Sequence, residues 1–158
     1  MFQAFPSEKP PIGSAFPFIY TGSTANSESE NFKIVTLDSC GNQSSDLLTT
    51  AQRSLYLNVN SDPCEGFVRL RWNTYRSWTQ TAVGKYELFA DITPPGGPTQ
   101  YRVLVFQGTA SDSAYRHINV QKGYEYCYYV QATDTTGLYT STSNFKCISS
   151  LVVQGSRL

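Results

Sequence analysis

Apolar and polar residues alternate along most of the chain from residue 54 onward. The sharpest case is Phe67–Trp72, where Val68, Leu70 and Trp72 fall on one side and Arg69 and Arg71 on the other. On a helix Arg69 and Leu70 would stand only about 100° apart, so period two predicts a strand. The same pattern predicts strands over 54–59 (Leu55, Leu57 and Val59 on one face) and 85–90 (Tyr86, Leu88 and Ala90). Residues 101–106 are apolar on both faces, and a shorter strand is expected over 114–120. In 123–132 one face carries Tyr126, Tyr128, Val130 and Ala132, and the other carries Cys127, Tyr129 and Gln131. A last strand is expected over 138–147, after the loop Asp134-Thr135-Thr136-Gly137. The run Pro94-Pro95-Gly96-Gly97-Pro98 marks another loop. Seven short strands separated by turn residues predict an all-β protein, a β-sandwich of immunoglobulin-like type.

Upstream the pattern is weaker. Residues 1–17 are proline-rich without a period, a short strand is expected near 18–20, and 32–37 reads as a strand closed by the turn cluster Asp38–Asn42.

Composition narrows the function. Of 158 residues, 40% are hydrophobic and 14% aromatic, ample for a packed core, and this excludes disorder for most of the chain. Charged residues are 15%, below the usual ~25%. Lys+Arg and Asp+Glu number 12 each, so the net charge is zero, which argues against an electrostatic nucleic-acid binder or a polybasic membrane-surface protein. No apolar run approaches the ~20 residues of a membrane-spanning helix. Met1–Pro6 is not a secretion signal. Four cysteines in a Tyr-, Thr- and Ser-rich β protein nevertheless point to an oxidising compartment, with any signal expected upstream of this sequence.

Several motifs now fall into one order. Val68-x-Leu70-x-Trp72, Tyr86-x-Leu88, and Val120-x-x-Gly123-x-x-Tyr126-x-Tyr128-x-Val130-x-Ala132 leading to Asp134 and Gly137 span 52–150, and this stretch resembles a fibronectin type III domain. The resemblance implies a structural core of Trp72, Tyr86, Tyr126, Tyr128 and Val130. It also implies a tyrosine corner at Tyr126, whose hydroxyl would bond to backbone upstream. Lys122 departs from the proline usual there. Trp72-Asn73-x-Tyr75-x-x-Trp78, Val83-x-Lys85-Tyr86-Glu87-Leu88, Tyr126-Cys127-Tyr128-Tyr129-Val130 and Ser143-Asn144-x-x-Cys147 together resemble one repeat of the gliding-motility-associated secreted and surface proteins of Bacteroidetes. Residues 32–41 also align with 128–137 at a constant offset of 96, although Glu30 stands where Tyr126 stands in the second copy. The expected organisation is therefore a partial repeat over 1–50, loosely ordered, a complete repeat over 51–150 and a tail over 151–158.

Cys127 and Cys147 fall on adjacent strands with Cys127 off the core face, so a cross-strand disulfide is expected there. Cys40 and Cys64 are left as a second pair at the junction between repeats. Zinc is not expected, since no C-x₂-C pair exists and there is one histidine, His117. No nucleophile or acid motif surrounds His117, which reads as an ordinary strand-edge residue. Asp38 and Asp134 occupy matching loop positions rich in Ser, Thr and Gly, which suits Asx turns better than calcium.

These readings point to a non-catalytic structural and adhesion module of a secreted or cell-surface array, with no cofactor or metal. Its expected partners are neighbouring repeats and a surface protein or glycan. The alternative is a carbohydrate-binding accessory module of a secreted hydrolase, in which an exposed Trp78 and Tyr75 stack on a sugar ring; Trp78 otherwise reads as covering one end of the sandwich.

Overall fold

A computed structural model describes residues 22–33, 38–42, 51–62, 66–78 and 80–149. The expected strand at 18–20, residues 34–37 of the strand at 32–37, Cys64 and the tail lie outside them. Among the described residues ten strands run in order: β1 (Asn31–Phe32), β2 (Gln52–Arg53), β3 (Leu57–Asp62), β4 (Phe67–Trp72), β5 (Val83–Thr93), β6 (Gln100–Thr109), β7 (Ala114–His117), β8 (Glu125–Asp134), β9 (Thr140–Thr142) and β10 (Lys146–Ser149). The described residues contain no helix, so none is long and apolar enough to cross a membrane. The chain is all-β, and every strand pairing is antiparallel.

The strands form three sheets. One is three-stranded, in the order β3-β4-β7, and one is five-stranded, in the order β10-β8-β5-β6 with β9 also on β8. The third is the small pair β1-β2. Leu57, Val68, Leu70 and Trp72 from the first sheet share one buried cluster with Tyr86, Leu88, Ala90, Tyr126, Tyr128, Val130 and Ala132 from the second. Alternation does this. In β4 every second residue is buried, and β8 buries Tyr126, Tyr128, Val130 and Ala132 together. Full burial of each large apolar side chain contributes about 1.5–3 kcal/mol, so this shared cluster is the main force holding the sheets together. The Trp72 indole is 5% exposed and lies 5.7 Å from the Tyr86 ring and 6.3 Å from Phe106.

The structure departs from the expected pattern in several places: β3 is Leu57–Asp62 and not 54–59, and β7 ends at His117 and not at residue 120. The single last strand is instead two, β9 and β10, broken at 143–145. There Ser143 is buried, its N–H donates to the Val130 carbonyl and its hydroxyl accepts from the Val130 N–H. With both polar groups of Val130 taken by one residue, the ladder on β8 is interrupted and restarts. Strand β6 carries register shifts against β5 near Phe89 and Ile92, and Arg102 sits in the left-handed region at φ 54°. Its N–H donates to Asp91 Oδ1 at 2.7 Å and its guanidinium covers the Phe89 ring at 5.0 Å, contacts that offset the backbone cost.

The N-terminal segment is tied to this body. β1 pairs with β2, the Ser29 hydroxyl donates to the Ser54 carbonyl, and the Glu30 N–H donates to the Ser54 hydroxyl.

Candidate functional site

The loop 73–78 leaves β4 at Trp72. The Asn73 side chain holds β3's entry: its Oδ1 accepts from the Tyr56 N–H at 2.6 Å, and its Nδ2 donates to the Ser54 carbonyl at 3.1 Å. Further on, Ser77 is buried, accepting from the Arg53 N–H and donating to the Arg53 carbonyl. This tether draws the loop inward. Tyr75 and Trp78 are half-buried against the core cluster, edge to face with centroids 4.7 Å apart, and the Tyr75 N–H donates to the Tyr86 hydroxyl at 2.8 Å. Of the two readings of Trp78, this packing is that of a residue covering one end of the core, and neither Tyr75 nor Trp78 is fully exposed. Stacking on a sugar requires an open ring face, and each ring here is partly covered.

His117 lies at the end of β7 among aromatic rings. Its Nδ1 is 2.9 Å from the Tyr128 hydroxyl, and its ring stands edge-on to Tyr126 and Tyr128. Burial holds its pKa below the ordinary histidine value, which favours the neutral ring in the fold. Burial, reinforced by Tyr126 and Tyr115, pushes the Tyr128 hydroxyl well above the ordinary tyrosine range. The imidazole thus leans on a hydroxyl that stays protonated, not on a carboxylate that could orient it as a base. Tyr126 is 3% exposed and its hydroxyl accepts from the Gln121 N–H at 2.9 Å, five residues upstream. Tyr86, Tyr128 and Val130 are fully buried.

Cys127 and Cys147 are directly opposed on β8 and β10 and joined by a disulfide. Cys40 is a free, exposed thiol; the expected Cys40–Cys64 pairing turns on Cys64, which lies outside the described residues.

The two matching aspartates build the same turn. Asp38 Oδ1 accepts from the Cys40 N–H, the Gly41 N–H donates to the Asp38 carbonyl, and Gly41 has φ 86°. Asp134 Oδ2 accepts from the Thr136 N–H, the Gly137 N–H donates to the Asp134 carbonyl, and Gly137 has φ 76°. In each, the fourth residue needs the left-handed backbone that glycine adopts without strain. Burial raises the Asp134 carboxyl, but donors from the Thr136 hydroxyl, the Tyr139 and Thr136 N–H groups and the Thr81 hydroxyl outweigh it and hold its pKa well below the usual range. Those donors occupy both carboxylate oxygens, so each aspartate closes a turn. Among the described residues no cluster of three His, Cys, Asp or Glu is arranged to hold a metal ion.

The outer face of the three-stranded sheet is basic. Arg69, Arg71 and Arg116 are exposed and line an open groove of about 320 Å³ with Leu70, Ala114 and Tyr115. Alternation alone marks Arg69 and Arg71 as solvent-facing. That Arg116 stands directly opposite Arg69 emerges only from the β4–β7 register.

No family model matches the chain, and no curated protein matches it. Among solved structures it is similar to pectate lyase PelI from Erwinia chrysanthemi in complex with tetragalacturonic acid. That match has 15% identity and a TM-score of 0.46, and covers 60% of this chain and 28% of that one. It is also similar to pectate lyase Pel3 from Pectobacterium carotovorum, with 12% identity and a TM-score of 0.46, covering 66% of this chain and 29% of that one. The chain therefore spans less than a third of either structure.

Proposed function

We propose that this chain is a non-catalytic structural and adhesion module, part of an extracellular array of fibronectin type III-like repeats at a bacterial cell surface. The observation that carries the reading is the pair of Asp38 and Asp134 turns. They lie 96 residues apart, about one domain, with the same Asx bond and the same left-handed glycine three residues on. A repeated turn at domain spacing is what the last hairpin of one repeat and of the next would produce.

Three further features support it. The three- and five-stranded sheets share a core around Trp72, as an immunoglobulin-like sandwich would. The Tyr126–Gln121 bond has the form of a tyrosine corner. The Cys127–Cys147 disulfide suits an oxidising compartment. The function is mechanical: cooperative units resist extension, and contacts too weak to hold singly add through repetition.

The test is the parent open reading frame together with protease treatment of intact cells. The proposal predicts further copies of the Asp-x-x-Gly turn at a similar spacing and loss of the module to external protease. A frame without another copy, or a module protected inside intact cells, overturns it.

A further inference from the structure

We propose that the outer face of the three-stranded sheet binds an acidic polysaccharide, a uronate polymer, through Arg71 and Arg116 with Arg69 between them. The site does not depend on the chain being one unit of an array.

The register sets Arg69 directly opposite Arg116. Like charges so placed destabilise a strand pair, and nothing in the core requires arginine at an exposed strand position. The fold nevertheless holds these groups in place. The guanidinium of Arg116 lies 4.7 Å from the Phe67 centroid and that of Arg69 lies 5.1 Å from it, so one ring supports both. Arg71 stands two residues along β4 from Arg69, about 7 Å away, and β7 runs about 5 Å to the side. Arg71 and Arg116 form no ion pair with a described residue. Arg116 is thus held beside Arg69 at an open groove, with less side-chain entropy left to lose on binding, and the exposed Arg71 lines the same groove further along β4.

The chemistry of the ligand follows from what stands beside the forks. Guanidinium groups pair with carboxylates in bidentate fashion. Asn58 is opposite Arg71 and Asn60 is opposite Arg69 on the same face, both exposed. Their amides offer neutral donors and acceptors, which sugar hydroxyls and ring oxygens need. Single-stranded nucleic acid binds by stacking bases on open aromatic faces, and Phe67 is already covered by guanidinium groups. An acidic peptide strand would add at a sheet edge through its backbone, whereas this groove opens on the sheet face.

The experiment is affinity electrophoresis of the whole chain through gels containing alginate, neutral dextran, poly-L-glutamate or single-stranded DNA. Alginate is expected to retard the protein, dextran to leave it unaffected, and added salt to release it. The Arg71→Ala/Arg116→Ala pair is expected to weaken the alginate affinity by about tenfold or more, with near-ultraviolet circular dichroism checking its fold. The Arg71→Lys/Arg116→Lys pair keeps the charge but not the fork and is expected to fall between; it serves as the test if the alanine pair does not fold. Lys122→Ala, a charge lost elsewhere, is expected to change nothing. Equal migration in alginate and dextran, unchanged affinity in the folded arginine variants, or tighter binding of poly-L-glutamate or DNA than of alginate overturns the proposal.

Discussion

The side chain of Asn144 satisfies both backbone polar groups of Leu57. Its Oδ1 accepts from the Leu57 N–H at 2.7 Å and its Nδ2 donates to the Leu57 carbonyl at 3.1 Å. Leu57 opens β3 in one sheet, and Asn144 lies between β9 and β10 of the other. One planar amide thus does across the two sheets what a neighbouring strand does within one. Leu57 is fully buried, so water cannot replace these bonds without opening the core.

Asn144→Ala orphans both groups, each costing about 1–3 kcal/mol, so a loss of about 2–6 kcal/mol is expected. Asn144→Asp keeps an acceptor but loses the donor and adds charge, and is expected to be no better. Urea unfolding of the three proteins, at constant m-value, measures this; a loss below about 0.5 kcal/mol would place the bond outside the folded state.

The bond between Tyr126 and Gln121 contributes less. Tyr126→Phe removes only the hydroxyl that accepts from Gln121, and Gln121 is exposed, so its N–H finds water. The expected cost is about 1 kcal/mol, with the Gln121 amide exchanging faster in hydrogen-exchange measurements.

The sign of the His117 effect is fixed by its depressed pKa. The folded state favours the neutral ring, and the unfolded chain binds its proton near 6.5. Above that value the contribution to stability is complete. As pH falls below 6.5 the unfolded state gains protons first, so stability declines until pH passes the folded pKa. His117→Gln should flatten the slope of unfolding free energy in this window, whatever its absolute stability. An unchanged slope would remove His117 as its source.

The disulfide closes a loop of 20 residues between directly opposed partners. In the chain-entropy picture such a loop contributes about 3 kcal/mol. The Cys127→Ala/Cys147→Ala pair should lose about that amount and become insensitive to reductant, as measured by thermal unfolding with and without dithiothreitol.

Much of the architecture is legible in the alternation. The bounds of β4 follow from arginines interleaved with Val68, Leu70 and Trp72, and the buried face of β8 follows from the spacing of Tyr126, Tyr128 and Val130. What the pattern hides is side chains replacing backbone. Ser143 and Asn144 look like ordinary strand residues, yet they end β9 and bridge the sheets. Trp78 sits in a polar stretch that leaves open whether it is exposed or covers the sandwich end; the buried Ser77 and its bonds to Arg53, 24 positions away, draw the loop inward. The basic face needs strand register, because Arg69 and Arg116 are far apart in the chain and meet only across β4 and β7.

Whether the chain bears force as one cooperative unit, as proposed, is read by pulling it whole from its ends in a single-molecule experiment. A single rupture is expected for the β3–β10 body. Reductant is expected to lengthen the released chain by about 70 Å, the reach of the 20 residues that the disulfide locks. Extension without a rupture, or in several small steps that reductant leaves unchanged, would contradict it.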